Sequence, residues 1–201
     1  MCNKYRYLDP DYTYTDKEAG ILRNLGGFSN SQDLDFFESA AVTKRLKELD
    51  DNPIFIKDSH SLFIIHKYIF QDVYEWAGER RTVEISKEGN QFFPISHFDK
   101  ALEYINELIA GYKICVGKDK RELSNKLAAI LDTVNHLHPF REGNGMAQRE
   151  FLRVLALEKQ LQLNLNPQDN ADVYEQYMAG TINGDVDKLS GLILKLFSET
   201  K

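Results

Sequence analysis

Hydrophobic residues recur at intervals of three and four along most of the chain, which places them on one face of an α-helix. This spacing predicts seven helices over residues 31–49, 59–74, 96–112, 118–137, 144–161, 170–181 and 185–197. The helix over 144–161 is almost wholly apolar in its middle, with Phe151, Leu152, Val154 and Leu155. A helix of this kind has no face suited to water, so we expect it at the centre of the fold.

Residues 81–94 break the helical pattern and predict a β-hairpin. Thr82-Val83-Glu84-Ile85 alternates like a strand, Lys87-Glu88-Gly89-Asn90 has the composition of a turn, and Phe92-Phe93 begins the return. An isolated hairpin is only marginally stable in water. We therefore expect the helices or a further strand to support it.

The first 30 residues are rich in Tyr, Asp, Gly and Asn, with only short apolar pieces, and predict an extended arm with turns. Ser31 then offers a side chain that can cap the first helix. The predicted fold class is all-α with one small β-hairpin. Its predicted parts are an N-terminal arm over 1–30 and a single helical domain over 31–201.

Composition narrows the class of protein. The chain has 201 residues, a hydrophobic fraction of 42% and a net charge of −6, which suits a globular protein without the basic surface of nucleic-acid binders. Cys2 and Cys115 match no metal or redox spacing, which favours a reducing compartment. No signal peptide or membrane span is predicted. We expect a cytoplasmic protein that binds neither membrane nor nucleic acid directly.

The strongest candidate for chemistry lies between the fourth and fifth predicted helices. Gly143-Asn144-Gly145 opens a helix, where free N–H groups and the positive dipole end attract anions. Glu142 can hold a Mg²⁺ that bridges phosphates, and Arg149 lies one turn into the helix, within reach of a phosphate. His138 can abstract a proton near neutral pH. Together these residues form a candidate site for transferring a group from a nucleotide to an acceptor.

Each of these residues also has an ordinary structural explanation. A histidine at a helix end is commonly a satisfied structural group, and a Gly-Asn-Gly sequence is commonly a turn. Glutamate and arginine in a first helical turn are commonly exposed. Residue types alone therefore leave two explanations open, a phosphate-ligand site and an ordinary turn, and the joint arrangement favours the first.

The segment His138-Pro139-Phe140-Arg141-Glu142-Gly143-Asn144-Gly145-Met146-Ala147-Gln148-Arg149 resembles the signature of the Fic family, H-x-F-x-[D/E]-G-N-G-[R/K]-x-x-R. Tyr74-Glu75-Trp76-Ala77-Gly78, followed by Arg81, resembles the family's approach to its flap hairpin. Leu22-Arg23-Asn24-Leu25-Gly26 resembles the start of stand-alone bacterial members. The resemblance covers the chain from about residue 5 to the last helices.

This resemblance implies the Fic fold and transfer of AMP from ATP to a target Tyr, Ser or Thr. It makes His138 the general base, Glu142 the Mg²⁺ ligand and Arg149 the ligand of the γ-phosphate. Gly143, Asn144 and Gly145 are the implied anion hole, and Phe140 packs inward to hold the loop. The hairpin is the implied flap, which pairs with an extended segment of the target. Lys87 and Phe92 are its candidate contacts to nucleotide or target.

Met146 departs from the signature, which has Arg or Lys at that position. Methionine cannot pair with a phosphate, so one side-chain contact and the choice of nucleotide are in question, although Met146 keeps its backbone N–H. Two alternatives to AMP transfer stay open. One is transfer of another nucleotide, of phosphocholine or of a phosphate. The other is a binding module with a decayed site.

The resemblance also bears on regulation. Many family members carry an inhibitory helix with the sequence [S/T]-x-x-x-E-[G/N], and no Ser or Thr of this chain begins such a sequence. We therefore expect a small antitoxin-like partner that supplies the glutamate against Arg149. The targets of related stand-alone toxins are type II topoisomerases, which makes such an enzyme a candidate target.

Overall fold

The computed structural model describes residues 5–7, 9–87, 90–115, 119–165 and 170–199. Within these ranges the α-helices are α1 (Ser31–Asp51), α2 (His60–Phe70), α3 (Phe98–Lys113), α4 (Lys120–Leu137), α5 (Asn144–Leu157), α6 (Ala171–Asn183) and α7 (Val186–Leu196). The strands are β1 (Tyr5–Tyr7), β2 (Ile85–Lys87), β3 (Asn90–Gln91), β4 (Leu161–Gln162) and β5 (Ser198–Glu199). The predicted class, helices with a small hairpin, is confirmed.

The centre of the fold is α5, as its apolar sequence predicts. It packs against α2 on one side and α4 on the other, and Phe151, Leu152 and Leu155 have no or almost no exposed surface. The hydroxyl of Tyr112 in α3 donates to the carbonyl of Leu155 at 2.9 Å. Because α5 is anchored on several sides, its first turn is a rigid platform for the loop before it.

Side-chain caps fix where helices begin. At α1 the cap is Asn30 and not Ser31, because Asn30 has extended backbone angles and its side chain accepts from the N–H of Asp33 at 2.9 Å. Asp119 caps α4 in the same way by accepting from the N–H groups of Arg121 and Glu122. The prediction that Ser31 caps α1 is therefore wrong by one residue.

Two helices end earlier than their apolar patterns predict. The second helix ends at Phe70 and not at Tyr74, and the turn that follows offers the carbonyl of Val73 to the N–H of Leu25 at 2.8 Å. The fifth ends at Leu157 and not at 161, because Leu161–Gln162 forms a strand with Ser198–Glu199. In both places pairing with a distant segment overrides the local pattern.

The hairpin is supported by the N-terminal arm. β1 pairs antiparallel with β2, and β2 pairs antiparallel with β3, which gives a sheet of order β1-β2-β3. Tyr14 of the arm packs edge-on against Trp76, with ring centroids 5.5 Å apart, and accepts from the N–H of Thr82 at 3.0 Å. A further strand thus supplies the support that the short hairpin needs. The division at residue 30 stays a prediction.

Over the part of the chain that the structure describes, helix length and apolarity nowhere combine into a segment able to cross a bilayer.

Candidate active site

The loop between α4 and α5 is held by unusual backbone angles at both ends. His138 caps the end of α4 in the left-handed region, with φ 46° and ψ 62°, and donates its N–H to the carbonyl of Val134 at 3.1 Å. Gly143 precedes α5 with φ 79°, a value that glycine adopts without strain. The two turns allow the chain to leave one helix and enter the next within a few residues.

Asn144 closes the loop with its side chain. Its Oδ1 accepts from the N–H of Phe140 at 2.9 Å, and its Nδ2 donates to the carbonyl of Phe140 at 2.8 Å. The ring of Phe140 is buried beside Phe63 and stacks on His66 at a centroid distance of 3.7 Å. Phe140 therefore packs inward, as predicted. The side-chain amide of Asn144 bonds within the loop.

His66 of α2 holds the loop from below. Its Nδ1 accepts from the N–H of Gly78 at 2.9 Å, so its Nε2 carries the proton and donates to the carbonyl of Glu142 at 2.9 Å. Burial lowers the pKa of His66 to about 4, which keeps the imidazole neutral and in this tautomer at neutral pH. A Cβ on Gly143 would lie 2.3 Å from the ring of Phe70, so only glycine fits above this support.

A cavity of about 1040 Å³ opens beside the loop. Of the residues predicted for the site, His138, Glu142, Gly143, Gly145, Met146, Arg149 and Phe92 line it. Asn144 is buried and faces the backbone of Phe140. Lys87 ends β2, and its side chain lies outside the described residues. The structure thus brings together most of the predicted site in one cavity.

Aromatic rings border this cavity. The ring of Phe92 stacks on the imidazole of His138 at 3.9 Å with an interplanar angle of 15°. The guanidinium of Arg149 lies over Tyr177 of α6, 5.6 Å from the ring centroid. Burial raises the pKa of Tyr177, so this phenol stays protonated. Tyr174 lines the cavity from the preceding turn of α6. These tyrosines give the cavity flat apolar walls that suit a nucleotide base.

The first turn of α5 is the candidate anion cradle. A helix leaves its first N–H groups without partners inside the helix, here those of Asn144 and Gly145. A Cβ on Gly145 would lie 3.0 Å from Nη1 of Arg149, so a side chain there would crowd the guanidinium. The glycine keeps cation and backbone donors close together.

Met146 contributes less to this cradle than the family signature implies. Its N–H donates to the carbonyl of Gly143 at 3.2 Å, and its side chain packs partly against the core. The expected backbone donor is therefore engaged within the helix turn. Met146 lines the cavity as an apolar surface.

Glu142 is the candidate metal ligand. Its Oε1 accepts from the N–H of Gly143 at 3.2 Å, so the carboxylate lies directly beside the cradle. Among the described residues, no group of three or more His, Cys, Asp or Glu converges on one point. Mg²⁺ commonly uses one or two carboxylates together with substrate phosphates and water. A single carboxylate next to a phosphate cradle fits that pattern.

Sequence reasoning missed His66, Arg81 and Tyr177 as parts of the site. His66 and Arg81 are buried polar side chains on segments far from the loop in sequence. Arg81 appears in the sequence only as a residue that resembles the family's flap approach. Tyr177 follows Tyr174 at a helical spacing of three, which is the one signal that could have placed both rings on one face.

Comparison with known proteins decides the family. The model of the Fic/DOC family matches residues 57–156, which include β2, β3, the loop and most of α5. The probable protein adenylyltransferase y4lH of Sinorhizobium fredii is 30% identical over 181 residues, which cover 88% of this chain and 91% of that protein. The chain belongs to the Fic/DOC family. The resemblance carried by residues 138–149 is thereby confirmed.

Three further proteins are similar to this chain. Protein adenylyltransferase VbhT of Bartonella schoenbuchensis is 32% identical over 195 residues, which cover 96% of this chain. The chain spans only 41% of the length of VbhT. The crystal structure of BepC from Bartonella tribocorum, with bound AMPPNP, has a TM-score of 0.79 at 19% identity over 94% of this chain and 98% of that chain. The crystal structure of the N-terminal Fic domain of a VirB-translocated Bep effector protein from Bartonella quintana has a TM-score of 0.80 at 20% identity, over 94% of this chain and 93% of that chain, which confirms the Fic-type helical fold.

Proposed function

We propose that this Fic protein transfers AMP from ATP to the hydroxyl group of a Tyr, Ser or Thr side chain in a target protein. The observation that carries the proposal is the single cavity in which His138, Glu142, the backbone at Gly143–Gly145 and Arg149 meet. Relatives named protein adenylyltransferase support AMP transfer, and the AMPPNP bound to BepC supports ATP as the nucleotide.

His138 is the general base of this proposal. The target hydroxyl loses its proton to the imidazole while its oxygen bonds to the α-phosphorus of ATP. The bond from the α-phosphorus to the oxygen that bridges to the β-phosphate breaks, and pyrophosphate leaves. AMP stays on the target through a new phosphodiester bond. Imidazole suits this role because it accepts a proton near neutral pH.

The loop and α5 stabilise the charge on the phosphates. The N–H groups of Gly143, Asn144 and Gly145, at the positive end of the helix dipole, are the proposed anion hole. Each such donor contributes on the order of 3 kcal/mol to the transition state. Arg149 binds the γ-phosphate and so orients ATP. Glu142 holds Mg²⁺, which when bound neutralises charge on the α- and β-phosphates.

The hairpin is the proposed contact to the target. An extended segment of the target pairs with an edge of the β1-β2-β3 sheet by β-augmentation. Phe92, stacked on His138, lies where such a segment would approach the base. Lys87 stays a predicted contact to nucleotide or target. A type II topoisomerase stays the candidate target, and the cytoplasm the proposed location.

We also propose that a small antitoxin-like partner restrains the enzyme by placing a glutamate against Arg149. A second cavity, of about 920 Å³, runs between α1 and the segment from α5 to Leu165. Met146 and Arg149 line both this cavity and the one beside the loop. A partner helix in this second cavity would therefore reach Arg149 without passing the hairpin, where the target is proposed to bind. The absence of [S/T]-x-x-x-E-[G/N] from the sequence supports inhibition in trans.

The experiment for AMP transfer uses two labelled forms of ATP. Purified protein is incubated with Mg²⁺, cell lysate and ATP labelled at either the α- or the γ-phosphate. We expect a labelled protein band from α-labelled ATP only, and its loss in His138→Ala. A band from γ-labelled ATP only would indicate phosphate transfer. Label from UTP or GTP but not ATP would indicate another nucleotide. No band from any donor would favour a binding module.

The experiment for the partner compares the protein alone with the protein bound to a peptide. A synthetic helix of the form [S/T]-x-x-x-E-G is titrated into the labelling reaction. We expect the isolated protein to be active and the peptide to reduce labelling, and a peptide with Gln in place of Glu to have no effect. If the purified protein is fully restrained with nothing bound, the antitoxin proposal is wrong.

A further inference from the structure

Arg81 is the most completely buried charged side chain near the site, with none of its side-chain surface exposed. Its Nε donates to the carbonyl of His138 at 2.8 Å, and one terminal nitrogen donates to the carbonyl of Val83 at 2.8 Å. The other donates to the carbonyl of Phe93 at 2.5 Å. Each nitrogen of the guanidinium is thereby committed to a backbone carbonyl.

These three carbonyls belong to three different parts of the chain. Val83 lies two residues before β2, Phe93 lies two residues after β3, and His138 lies in the loop between α4 and α5. The backbone N–H of Arg81 also donates to the carbonyl of Pro139 at 2.7 Å. One residue therefore joins both arms of the hairpin to the loop.

His138 needs such support because its backbone is strained. Its φ of 46° is in the left-handed region, which a side chain with a Cβ rarely adopts. Strained angles persist only where the surrounding structure holds them. The bonds from Arg81 to the carbonyls of His138 and Pro139 lie directly at this strained position.

The hairpin is fixed to the same point. The N–H of Phe93 donates to the carbonyl of His136 at 3.0 Å, and the ring of Phe92 stacks on the imidazole of His138. We propose that Arg81 is a positioning residue. By donating to the carbonyls of His138, Val83 and Phe93, it fixes the position of the His138 imidazole relative to the hairpin. This rests on the proposed role of His138 as the base.

The nucleotide cradle has its own supports. Asn144 holds the backbone of Phe140, and His66 holds the carbonyl of Glu142. None of these hydrogen bonds involves Arg81. Loss of the Arg81 contacts therefore moves the base and the hairpin while the cradle keeps its place. The transfer step should suffer and nucleotide binding should not.

The test compares Arg81→Lys with Arg80→Lys. Lysine keeps the charge but cannot reach three separated carbonyls with one ammonium group. Arg80 is the matched control because it is the neighbouring arginine, half-exposed, and its partner Asp99 is exposed. We expect Arg81→Lys to lower the maximal rate of α-label transfer about a hundredfold. Its apparent KM for ATP should change less than about threefold. Arg80→Lys should match the unaltered protein.

A spectroscopic readout separates this inference from the proposed function. In NMR spectra, stacking on Phe92 shifts the imidazole protons of His138, and we expect Arg81→Lys to remove that shift. The resonances of His60, which is exposed, should stay unchanged. If the unaltered protein transfers no label, the proposed function fails while the His138 shift still tests the positioning.

Three outcomes would overturn the inference. One is an Arg81→Lys protein with an unchanged His138 shift, and another is an unchanged maximal rate with a raised KM for ATP. Arg81→Gln serves if Arg81→Lys does not fold, since it keeps an amide donor of smaller size. The third outcome is failure of both variants to fold, judged by thermal melting, which would show that Arg81 serves the core and not the base.

Discussion

The side-chain amide of Asn144 bonds to both backbone groups of Phe140, accepting from its N–H at 2.9 Å and donating to its carbonyl at 2.8 Å. Both groups are buried, so no water can replace the amide. The bond pair fixes the distance between the middle of the loop and the first residue of α5. The side chain of Asn144 thus fixes the loop that leads into the proposed cradle.

We predict that Asn144→Ala disrupts the loop. Each buried backbone group left unpaired costs about 1–3 kcal/mol, so the free energy of unfolding should fall by a few kcal/mol. Transfer of α-label should fall on the order of a hundredfold, because the cradle is displaced. Denaturant titration and the labelling assay measure the two effects. Asn106→Ala, which removes a single bond to the N–H of Ser59, is the control. Unchanged transfer in Asn144→Ala would contradict this role.

Gly143 is predicted to accept no side chain. A Cβ there would lie 2.3 Å from the ring of Phe70, and φ is 79°. Gly143→Ala should therefore lower the free energy of unfolding by about 1–3 kcal/mol and abolish most transfer. Gly191→Ala is the matched control, since a Cβ at this helical position meets nothing within 4 Å. It should stabilise the protein by up to about 1 kcal/mol. Equal melting temperatures for the two variants would refute the packing argument.

Met146→Arg is predicted to restore the cation of the family signature. Met146 lines the cavity, so a guanidinium at this position can pair with a phosphate of ATP. We expect the apparent KM for ATP to fall about tenfold, which corresponds to ~1.4 kcal/mol. Met146→Leu, which adds no charge, should leave KM unchanged. The idea is refuted if the arginine and leucine variants have the same KM for ATP.

The lowered pKa of His66 predicts how the free energy of unfolding depends on pH. Its folded pKa is about 4, below the ordinary value near 6.5, so only the unfolded chain takes up a proton between these pH values. Protonation then favours unfolding, and stability falls as pH decreases from about 6.5 to about 4. The loss should be about 3 kcal/mol larger in the unaltered protein than in His66→Gln. Denaturant titrations at several pH values measure it, with the exposed His60→Gln as control. Parallel curves for the unaltered protein and His66→Gln would contradict the assignment.

The sequence pattern predicts much of the fold because helix faces are local properties. Within the described residues, seven periodic segments give seven helices, and α5, whose middle is apolar in sequence, lies at the centre. The signature also predicts which residues meet in the cavity, since His138, Glu142 and Arg149 lie within a short stretch of chain. Local spacing alone carries this information.

What the pattern does not reveal depends on distant pairing. The ends of α2 and α5 are set by Leu25 and by the strand over 198–199, which no local window contains. The tautomer of His66 follows from Gly78 and Glu142 on either side of its ring. Arginine side chains are usually exposed, so the sequence does not indicate that Arg81 is buried and bonded to the loop. Only tertiary contacts show this role.

The most direct test of the central claim measures binding and transfer on the same samples of the unaltered protein and His138→Ala. The Kd for ATP with Mg²⁺ is measured by calorimetry, and transfer is measured as label moved from α-labelled ATP to protein. If His138 is the base beside an independently built cradle, His138→Ala binds ATP with unchanged Kd and transfers no label. Transfer that persists in His138→Ala would contradict the account.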